Sequence, residues 1–480
     1  MKTINKTKSL YRLFIAGVIL TMWACKTPEI IQKTANTKVP ESFNNLKDSV
    51  NVATLNWKEY FTDSNLINLI DVALENNQEL NIIKQEIEIS KNEISAKKGE
   101  YLPFVGLQAG AGGEKVGRYT SQGANDATTP FKGTKENPEF LPDFMVGAYA
   151  TWEIDIWNKL HNAKKSAVSR YLASVEGKNF MVTNLIAEIA NSYYELLALD
   201  NQLEILKRNI KIQTDALEIV RLQKQAARVT ELAVRRFEAQ VYSTKSIQFE
   251  IEQNIVETEN RIHFLIGEYP GKIERSHKGF VALEPDIVHA GVPAELLINR
   301  PDIKQAELEL AAAKLDVKVA KARFYPSLGL SAGIGYQAFN AKYLLNTPKS
   351  LLYSLAGDLT APLINKRAIK ATYYNANAKQ IQAVYNYERT ILNAYVEVVN
   401  KLSKMSNMEK SFQLKKQEVS ALAESIVISN KLFRSARADY MEVLLTQRDA
   451  LESKFELIET KKNQMNAYVN MYKALGGGWN

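Results

Sequence analysis

Apolar and polar residues alternate along four short segments of the chain, at about 101–114, 143–156, 325–338 and 351–364. Successive side chains of a strand point to opposite faces, so this pattern predicts four β-strands with one apolar face and one small or polar face. A soluble β-sandwich would show the same alternation. Segments of about 10 residues, long enough to cross a bilayer when tilted, favour a membrane barrel instead. So do the aromatic residues at the segment ends, expected at the membrane interface: Tyr101, Phe104, Trp157, Phe324 and Tyr325.

Between the strand pairs the apolar spacing changes to that of long helices. Residues 158–223 contain no proline, and apolar positions recur there at spacings of three and four, as in a coiled coil: Leu196, Leu199, Leu203, Leu206, Ile210, Leu217 and Val220. A helix of this span would be on the order of 100 Å long. A second long helix is predicted at 366–433, return helices at 229–266 and 437–475, and further helices at 65–99 and 301–323.

The chain contains an internal duplication. Ala226-Ala227-Arg228 aligns with Ser435-Ala436-Arg437, and Ile266-Gly267 aligns with Leu475-Gly476 at the same offset of 209 residues. Each half has the order helix, strand, strand, long helix, return helix. We therefore predict a first structural repeat at 61–270, a connector at 271–300 and a second repeat at 301–480.

Four membrane strands cannot close into a barrel by themselves. An open sheet edge in hydrocarbon leaves backbone donors and acceptors unpaired, at a cost of several kcal/mol each. The smallest natural membrane barrels use about eight strands. The fold class predicted is therefore a mixed α/β membrane protein, with a long α-helical coiled-coil barrel and a transmembrane β-barrel to which each chain contributes four strands.

The N-terminus has the pattern of a secretory signal over residues 1–24. Four basic residues precede an apolar run that is too short to cross a bilayer, and a small residue precedes Cys25. This resembles a bacterial lipoprotein signal, in which Cys25 becomes the acylated first residue. A buried cysteine in an uncleaved chain is the alternative. Residues 25–60 are predicted to be an extended tether.

Composition narrows the functional classes. Half of the net charge of +8 lies in the predicted signal, and 53 acidic residues are spread along the chain, so we expect no nucleic-acid partner. The single cysteine excludes a disulfide framework. The four histidines lack the spacing of a metal site, and no nucleophile constellation is present. We therefore expect no metal, no cofactor and no enzymatic activity.

The string Asn299-Arg300-Pro301-Asp302-Ile303 is followed by Phe324-Tyr325-Pro326-Ser327. A second motif occurs later in the chain: Phe433-Arg434-Ser435-Ala436-Arg437-Ala438-Asp439-Tyr440-Met441-Glu442-Val443-Leu444. With these motifs the sequence resembles the outer-membrane efflux channels related to TolC. The acylated cysteine is similar to their lipoprotein branch (the OprM, CusC or NodT type). The resemblance covers essentially the whole mature chain. Ala227 and Ala436 replace the glycine usual at the two helix–helix turns.

The resemblance implies a homotrimer in the outer membrane, anchored to its lipid at Cys25, with a helical tunnel in the periplasm. It would be a passive exit duct for small molecules (drugs, toxic compounds or metal ions) received from a periplasmic adaptor (a membrane fusion protein) and an inner-membrane pump of the resistance-nodulation-division (RND) type. It also implies a periplasmic gate at Glu442 and Asp439. Adaptor contacts are expected at the turns: Arg228, Thr230, Glu231, Arg437 and Tyr440.

Two alternatives remain open. An exit channel for type I protein secretion would have the same fold. A periplasmic coiled-coil scaffold would explain the heptads but not the alternating strand pairs.

Overall fold

The computed structural model describes residues 27–43, 55–129, 137–276, 279–284, 290–362, 366–435 and 437–479. Its helices are α1 (Trp57–Tyr60), α2 (Ser64–Asn76), α3 (Gln78–Tyr101), α4 (Ser121–Thr128), α5 (Lys159–Gln225), α6 (Glu231–Ile266), α7 (Leu296–Asn299), α8 (Pro301–Ala322), α9 (Arg367–Arg434) and α10 (Tyr440–Leu475). Its strands are β1 (Phe104–Lys115), β2 (Phe140–Ile154), β3 (Ser327–Ala338) and β4 (Leu351–Thr360). The fold is therefore mostly helical with one small sheet.

The chain divides into two compact units, and each contains segments of both predicted repeats. The first unit comprises Met1–Thr34, Glu88–Leu172 and Leu308–Val384, and the second comprises Ala35–Ile87, Ala173–Glu307 and Tyr385–Asn480. No helix in the described part of the chain is both long enough and apolar enough to cross a membrane.

The first unit contains an antiparallel four-stranded sheet in the order β1-β2-β3-β4. Its register places Val105, Ala150, Ala332 and Leu355 side by side across the four strands. The neighbouring row, from Gly106 through Tyr149 to Ser354, belongs to the opposite face. The alternation seen in the sequence thus continues across the whole sheet, with one apolar face and one small or polar face.

The apolar face of this sheet is largely uncovered. Large side chains exposed on it are Val105, Leu107, Trp152, Ile334, Tyr353, Leu355 and Leu359. Leu107 is 87% exposed and Leu355 is 81% exposed. Among the described strands, β1 and β4 are each paired on one side only. Water solvates an exposed apolar face poorly, and an open strand edge can pair with a strand of another chain.

The second unit has a hydrophobic core formed by α1, α2 and parts of α5, α6 and α10. A stack of tyrosines attaches α1 to α10. The Tyr60 ring lies 4.3 Å from that of Tyr468 and 4.0 Å from that of Tyr472, and the Tyr60 hydroxyl donates to the Tyr468 carbonyl at 2.8 Å. Several predicted coiled-coil positions of α5 are buried: Leu196, Leu206, Leu217 and Val220.

Some boundaries differ from those predicted. The helix predicted at 65–99 is two helices, because the Asn77 side chain accepts from the Leu80 amide at 2.9 Å and so caps the start of α3. Tyr101 ends α3 rather than beginning a strand. The return helices begin at Glu231 and Tyr440, because Thr230 and Asp439 occupy the positions that precede them.

The Arg-Pro-Asp motif forms a buried ion-pair cluster at the start of α8. The Arg300 guanidinium makes two hydrogen bonds to the Asp302 carboxylate, at 3.0 and 2.7 Å. It also donates to Glu397 of α9 at 2.9 Å and to the Ala474 carbonyl of α10 at 2.7 Å. Burial alone would lower the pKa of Arg300, but the hydrogen bonds and charges of Asp302 and Glu397 raise it above its ordinary value. One side chain therefore fastens three helices together.

The other half of the chain has a similar junction without an arginine. Asn77 donates to the Leu265 carbonyl at 2.8 Å, where Arg300 donates to the Ala474 carbonyl. Gly267 and Gly476 end α6 and α10 with φ of 76° and 91°. A Cβ on either glycine would lie within 2.7 Å of a backbone oxygen, that of Asn76 or Asn299. Glycine is therefore required at both helix ends, for its conformation and for the close approach.

Replacing Arg300 by methionine tests this cluster. Arg300→Met leaves two carboxylates of the cluster without their cation, so we expect a loss of about 3 kcal/mol in the free energy of unfolding. The control is Arg170→Met, since Arg170 pairs with Asp316 but is half exposed and should contribute at most about 1 kcal/mol. Circular dichroism of the full-length protein should show a melting temperature lowered by Arg300→Met well beyond the control. Equal shifts would contradict a special role for Arg300.

Candidate functional site: the two helix–helix turns

Two short turns in the second unit carry most of the predicted functional residues. One joins α5 to α6, and the other joins α9 to α10. Each closes with the same backbone hydrogen bond, from the Arg228 amide to the Gln223 carbonyl and from the Arg437 amide to the Leu432 carbonyl, both at 2.9 Å. This six-residue closure is a Schellman-type helix end. Ala436 lies outside the described residues.

Ala227 adopts the left-handed conformation, with φ of 54°. Glycine would adopt this backbone conformation without strain. An alanine in this region carries a steric cost of roughly 1 kcal/mol because its Cβ approaches the following carbonyl oxygen. Ala227 therefore places steric strain in this turn.

Charged residues of the first turn are largely paired with one another. Glu231 contacts Lys224 at 2.9 Å and Arg235 at 2.8 Å, and the hydrogen bond from Lys224 holds the pKa of Glu231 below its usual value. Thr230 caps α6 by accepting from the Ala233 amide. Arg228 is exposed, and within the described residues it has no ion-pair partner. Of the polar residues predicted here, Arg228 is therefore the one most available to another molecule.

The second turn presents two unpaired carboxylates. Asp439 precedes α10, but its side chain makes no capping hydrogen bond. Glu442 lies in the first turn of α10. Both are exposed, and neither is in an ion pair with any residue in the described ranges. Arg437 is also exposed. A cluster of three exposed charges without internal partners can interact with another chain or with a passing ion.

Tyr440 does not project freely from this turn. It packs, with Leu444, against the small apolar core of the α5–α6 hairpin, formed by Leu217, Val220, Ala233, Val234, Phe237 and Val241. The Arg236 guanidinium contacts the sulfur of Met441. The two turns are thus joined to each other by α10. Sequence reasoning missed Arg236 and Met441, because a contact between an arginine and a thioether 205 residues apart leaves no local pattern.

The predicted interface aromatics lie in the first unit, around the ends of the strands. Phe104 is 60% exposed and Trp157 is 42% exposed. Trp157 stacks on Tyr325 at 4.7 Å and donates to the Pro326 carbonyl at 2.6 Å. The Tyr101 ring contacts His161 at 4.2 Å. Phe324 also lies near a strand end, just before β3, but its ring is buried against Ala320 and Tyr373 and so faces its own chain.

Histidine, cysteine, aspartate and glutamate side chains in the described ranges form no group of three or more that could hold a metal ion. Cys25, His277 and His289 lie outside those ranges.

The family model for outer membrane efflux proteins matches residues 69–268 and 292–477. This is more than half of the chain, so the chain belongs to the outer membrane efflux protein family. Members of this family are channels without enzymatic activity. The predictions of a TolC-like outer-membrane efflux channel and of a protein that is not an enzyme are therefore confirmed.

Individual relatives match over most of their length. The pyoverdine export outer membrane protein OpmQ of Pseudomonas aeruginosa is 28% identical over 423 residues, covering 88% of this chain and 87% of OpmQ. The probable outer membrane lipoprotein SilC of Salmonella typhimurium is 24% identical over 448 residues, covering 92% of this chain and 93% of SilC. The crystal structure of the CmeC outer membrane channel of Campylobacter jejuni superposes with a TM-score of 0.84 at 20% identity, covering 94% of each chain.

Replacing Ala227 by glycine tests the strain in the first turn. Ala227→Gly removes the Cβ that disfavours positive φ, so local opening of the turn should cost about 1 kcal/mol more. Hydrogen exchange of the Arg228 amide should then slow about fivefold. The control Ala226→Gly removes the neighbouring exposed methyl, where no positive φ is relieved, and should speed exchange of the same Arg228 amide. Equal or faster exchange in Ala227→Gly would show that the turn is unstrained.

Proposed function

We propose that this chain is one subunit of a homotrimeric exit duct in the outer membrane. Small molecules would enter it from a periplasmic adaptor and an inner-membrane RND pump, and the duct itself would be passive. The observation that carries the proposal is the four-stranded sheet with an exposed apolar face and two unpaired edges. The strands have 12, 15, 12 and 10 residues, enough to cross a bilayer when tilted.

A shared barrel satisfies the open edges. Four strands from each of three copies would give twelve, an even number within the range of bacterial membrane barrels. The apolar face would then meet lipid, and the face with Gly147, Gly333 and Ser354 would line the pore. In this arrangement Trp157, Tyr325 and Tyr101 would lie at the membrane interface, whereas Phe104, whose ring contacts Tyr149 on the small or polar face, would lie at the pore side of β1. Phe324 would stabilise the base of the barrel from inside the protein.

Exposed apolar stripes on the helices suggest where copies meet. On α6, Tyr242, Phe249 and Val256 are exposed at intervals of seven residues, and on α3 so are Ile82 and Ile89. Apolar residues seven apart lie on one face of a helix, as in a coiled coil. In a single chain these faces are uncovered. We propose that they pack against neighbouring copies in a helical tunnel.

The internal duplication is part of this proposal. Matched turn closures at Arg228 and Arg437, and matched glycine helix ends at Gly267 and Gly476, support two repeats. The helices of the two repeats would alternate around the tunnel.

The cargo class rests on the relatives. OpmQ is named for pyoverdine export and SilC as an outer membrane lipoprotein. We propose export of small molecules on this basis. The chemistry of the exposed turns does not select among them, because selection belongs to the pump.

We propose that Glu442 and Asp439 form a gate at the periplasmic end. In a trimer, three copies of each carboxylate would surround the axis. A ring of acids in a narrow pore favours the passage of cations. Contacts between these acids and nearby arginines would hold the pore closed. Arg228, Arg437, Thr230 and Glu231 would form the rim that meets the adaptor. Tyr440 would hold the second hairpin to the first.

Conductance in planar bilayers tests both the duct and its gate. The purified wild-type protein should form channels that are mostly closed. Glu442→Ala should raise the open fraction severalfold, because the carboxylate ring is removed. Glu452→Ala, ten residues further along α10 and also exposed, is the matched control and should behave as wild type. Absence of any conductance would contradict the duct, whereas unchanged gating in a conducting Glu442→Ala protein would contradict only the gate.

We propose that Cys25 is acylated. Cys25 lies outside the described residues, but residues 30–33 lie alongside α9. Ile30 packs beside Phe324 and Tyr373, the Lys33 carbonyl accepts from Gln380 at 3.2 Å, and Ile30 itself is close in sequence to Cys25. Five extended residues span at most about 18 Å. The attachment point at Cys25 would therefore be within about 18 Å of Ile30, which packs beside Phe324 just before β3, where we expect a membrane surface.

Metabolic labelling tests the anchor. Cells supplied with radioactive palmitate should label the wild-type protein, and Cys25→Ser should abolish the label because no other cysteine is present. A serine placed at Thr27 (Thr27→Ser) keeps the cysteine and should be labelled normally. Retained label in Cys25→Ser would contradict acylation at this residue.

A further inference from the structure

A half-open groove of about 410 Å³ lies among α5, α9 and α10 in the second unit. This volume is within the range of small-molecule sites. Its walls are mainly apolar, with side chains from all three helices and from Val281: Ile205 and Ile212 of α5, Val419 and Ile426 of α9, and Ala450, Leu451, Leu457 and Ile458 of α10. The lining includes Arg208 and Lys454 but no carboxylate. The groove is therefore lined mainly by apolar side chains, and its charged side chains are both cationic.

Two polar side chains of α10 in this groove have no partner among the described residues. Gln447 is only 6% exposed, and no described donor lies within hydrogen-bond distance of its buried side-chain oxygen. A buried acceptor without a donor is costly, so it marks a position where a donor is missing. Lys454 is half-buried, and no described carboxylate lies within ion-pair distance of it. Arg208, in contrast, already pairs with Glu204.

The spacing of these two groups defines the shape of an occupant. Gln447 and Lys454 are seven residues apart, so they lie on the same face of α10 and about 10 Å apart along its axis. Ala450 and Leu451 lie between them on the groove wall. A matching molecule has a hydrogen-bond donor at one end, an anionic group at the other, and hydrocarbon between them.

We propose that this groove binds an elongated amphiphile that carries a hydroxyl and a carboxylate about 10 Å apart. The hydroxyl donates to Gln447, the carboxylate pairs with Lys454, and the hydrocarbon covers the apolar wall. The bound molecule contacts all three helices, so it stabilises their packing against one another. This site is separate from the proposed gate and does not depend on the exported cargo.

Three simple probes test the two polar contacts. Titration calorimetry of the full-length protein in amphipol would compare 10-hydroxydecanoate, decanoate and 1,10-decanediol. The first has both polar ends, the second lacks the donor, and the third lacks the charge. We expect 10-hydroxydecanoate to bind at one site per chain, with each of the other two about tenfold weaker. Equal affinities for all three would overturn the proposal, because they would indicate unspecific apolar binding.

Variants of the groove locate the site. Lys454→Gln should weaken 10-hydroxydecanoate about tenfold and leave decanediol unchanged, whereas Gln447→Leu should remove the advantage of 10-hydroxydecanoate over decanoate. Ile212→Trp should block the groove from an exposed position, since Ile212 is 55% exposed.

The matched control is Ile219→Trp, seven residues along α5, 48% exposed and outside the groove lining. It should bind 10-hydroxydecanoate as wild type does. Equal binding by Ile212→Trp and Ile219→Trp would place the ligand elsewhere. Loss of binding by both would also overturn the proposal, since the groove would then have no privileged role.

Discussion

Unpaired backbone at the two edges of the sheet is the constraint on which the rest of the structure depends. β1 and β4 each have one edge that no other described strand pairs with, and the apolar face between them is exposed. In water that face would favour aggregation, and in hydrocarbon the free edges would each cost several kcal/mol. Both problems disappear if the edges of one copy pair with those of the next. The exposed heptad faces of α3 and α6 are consistent with the same requirement in the helical part.

The helical second unit is held by buried polar contacts as well as by apolar packing. Arg300 joins the start of α8 to α9 and α10, and the tyrosine stack joins α1 to α10. Such contacts fix which helices are neighbours, because a buried charge left without its partner is strongly unfavourable. The turns, by comparison, carry exposed charges and a strained Ala227. Buried polar contacts thus hold the helices together away from the turns, whereas Asp439 and Glu442 at the second turn are exposed.

Much of this fold could be predicted from the sequence, since alternation and heptad spacing are local signals. The apolar face from Val105 to Leu355 follows directly from period-two patterning. The break at Asn77 was missed because an asparagine inside a helical pattern gives weaker warning than proline or glycine. Long-range contacts were missed for a different reason. Arg300 meets Glu397 and Ala474, 97 and 174 residues away, and nothing local identifies those partners. The burial of Phe324 and the packing of Tyr440 on the first hairpin are of the same kind.

The completion of the sheet by other copies can be measured most directly by disulfide cross-linking between strand edges. In a Cys25→Ser background, each variant would carry two cysteines, one on β1 (at Ala109 or Ala111) and one on β4 (at Tyr353 or Leu355). Membranes containing each variant would then be oxidised. Because β1 and β4 lie at opposite edges of the four-stranded sheet, one copy cannot link them to each other. Covalent dimers and trimers, with no larger species, are the expected result for at least one register. Cross-links confined to single chains, in a protein that remains monomeric, would contradict a barrel shared among copies.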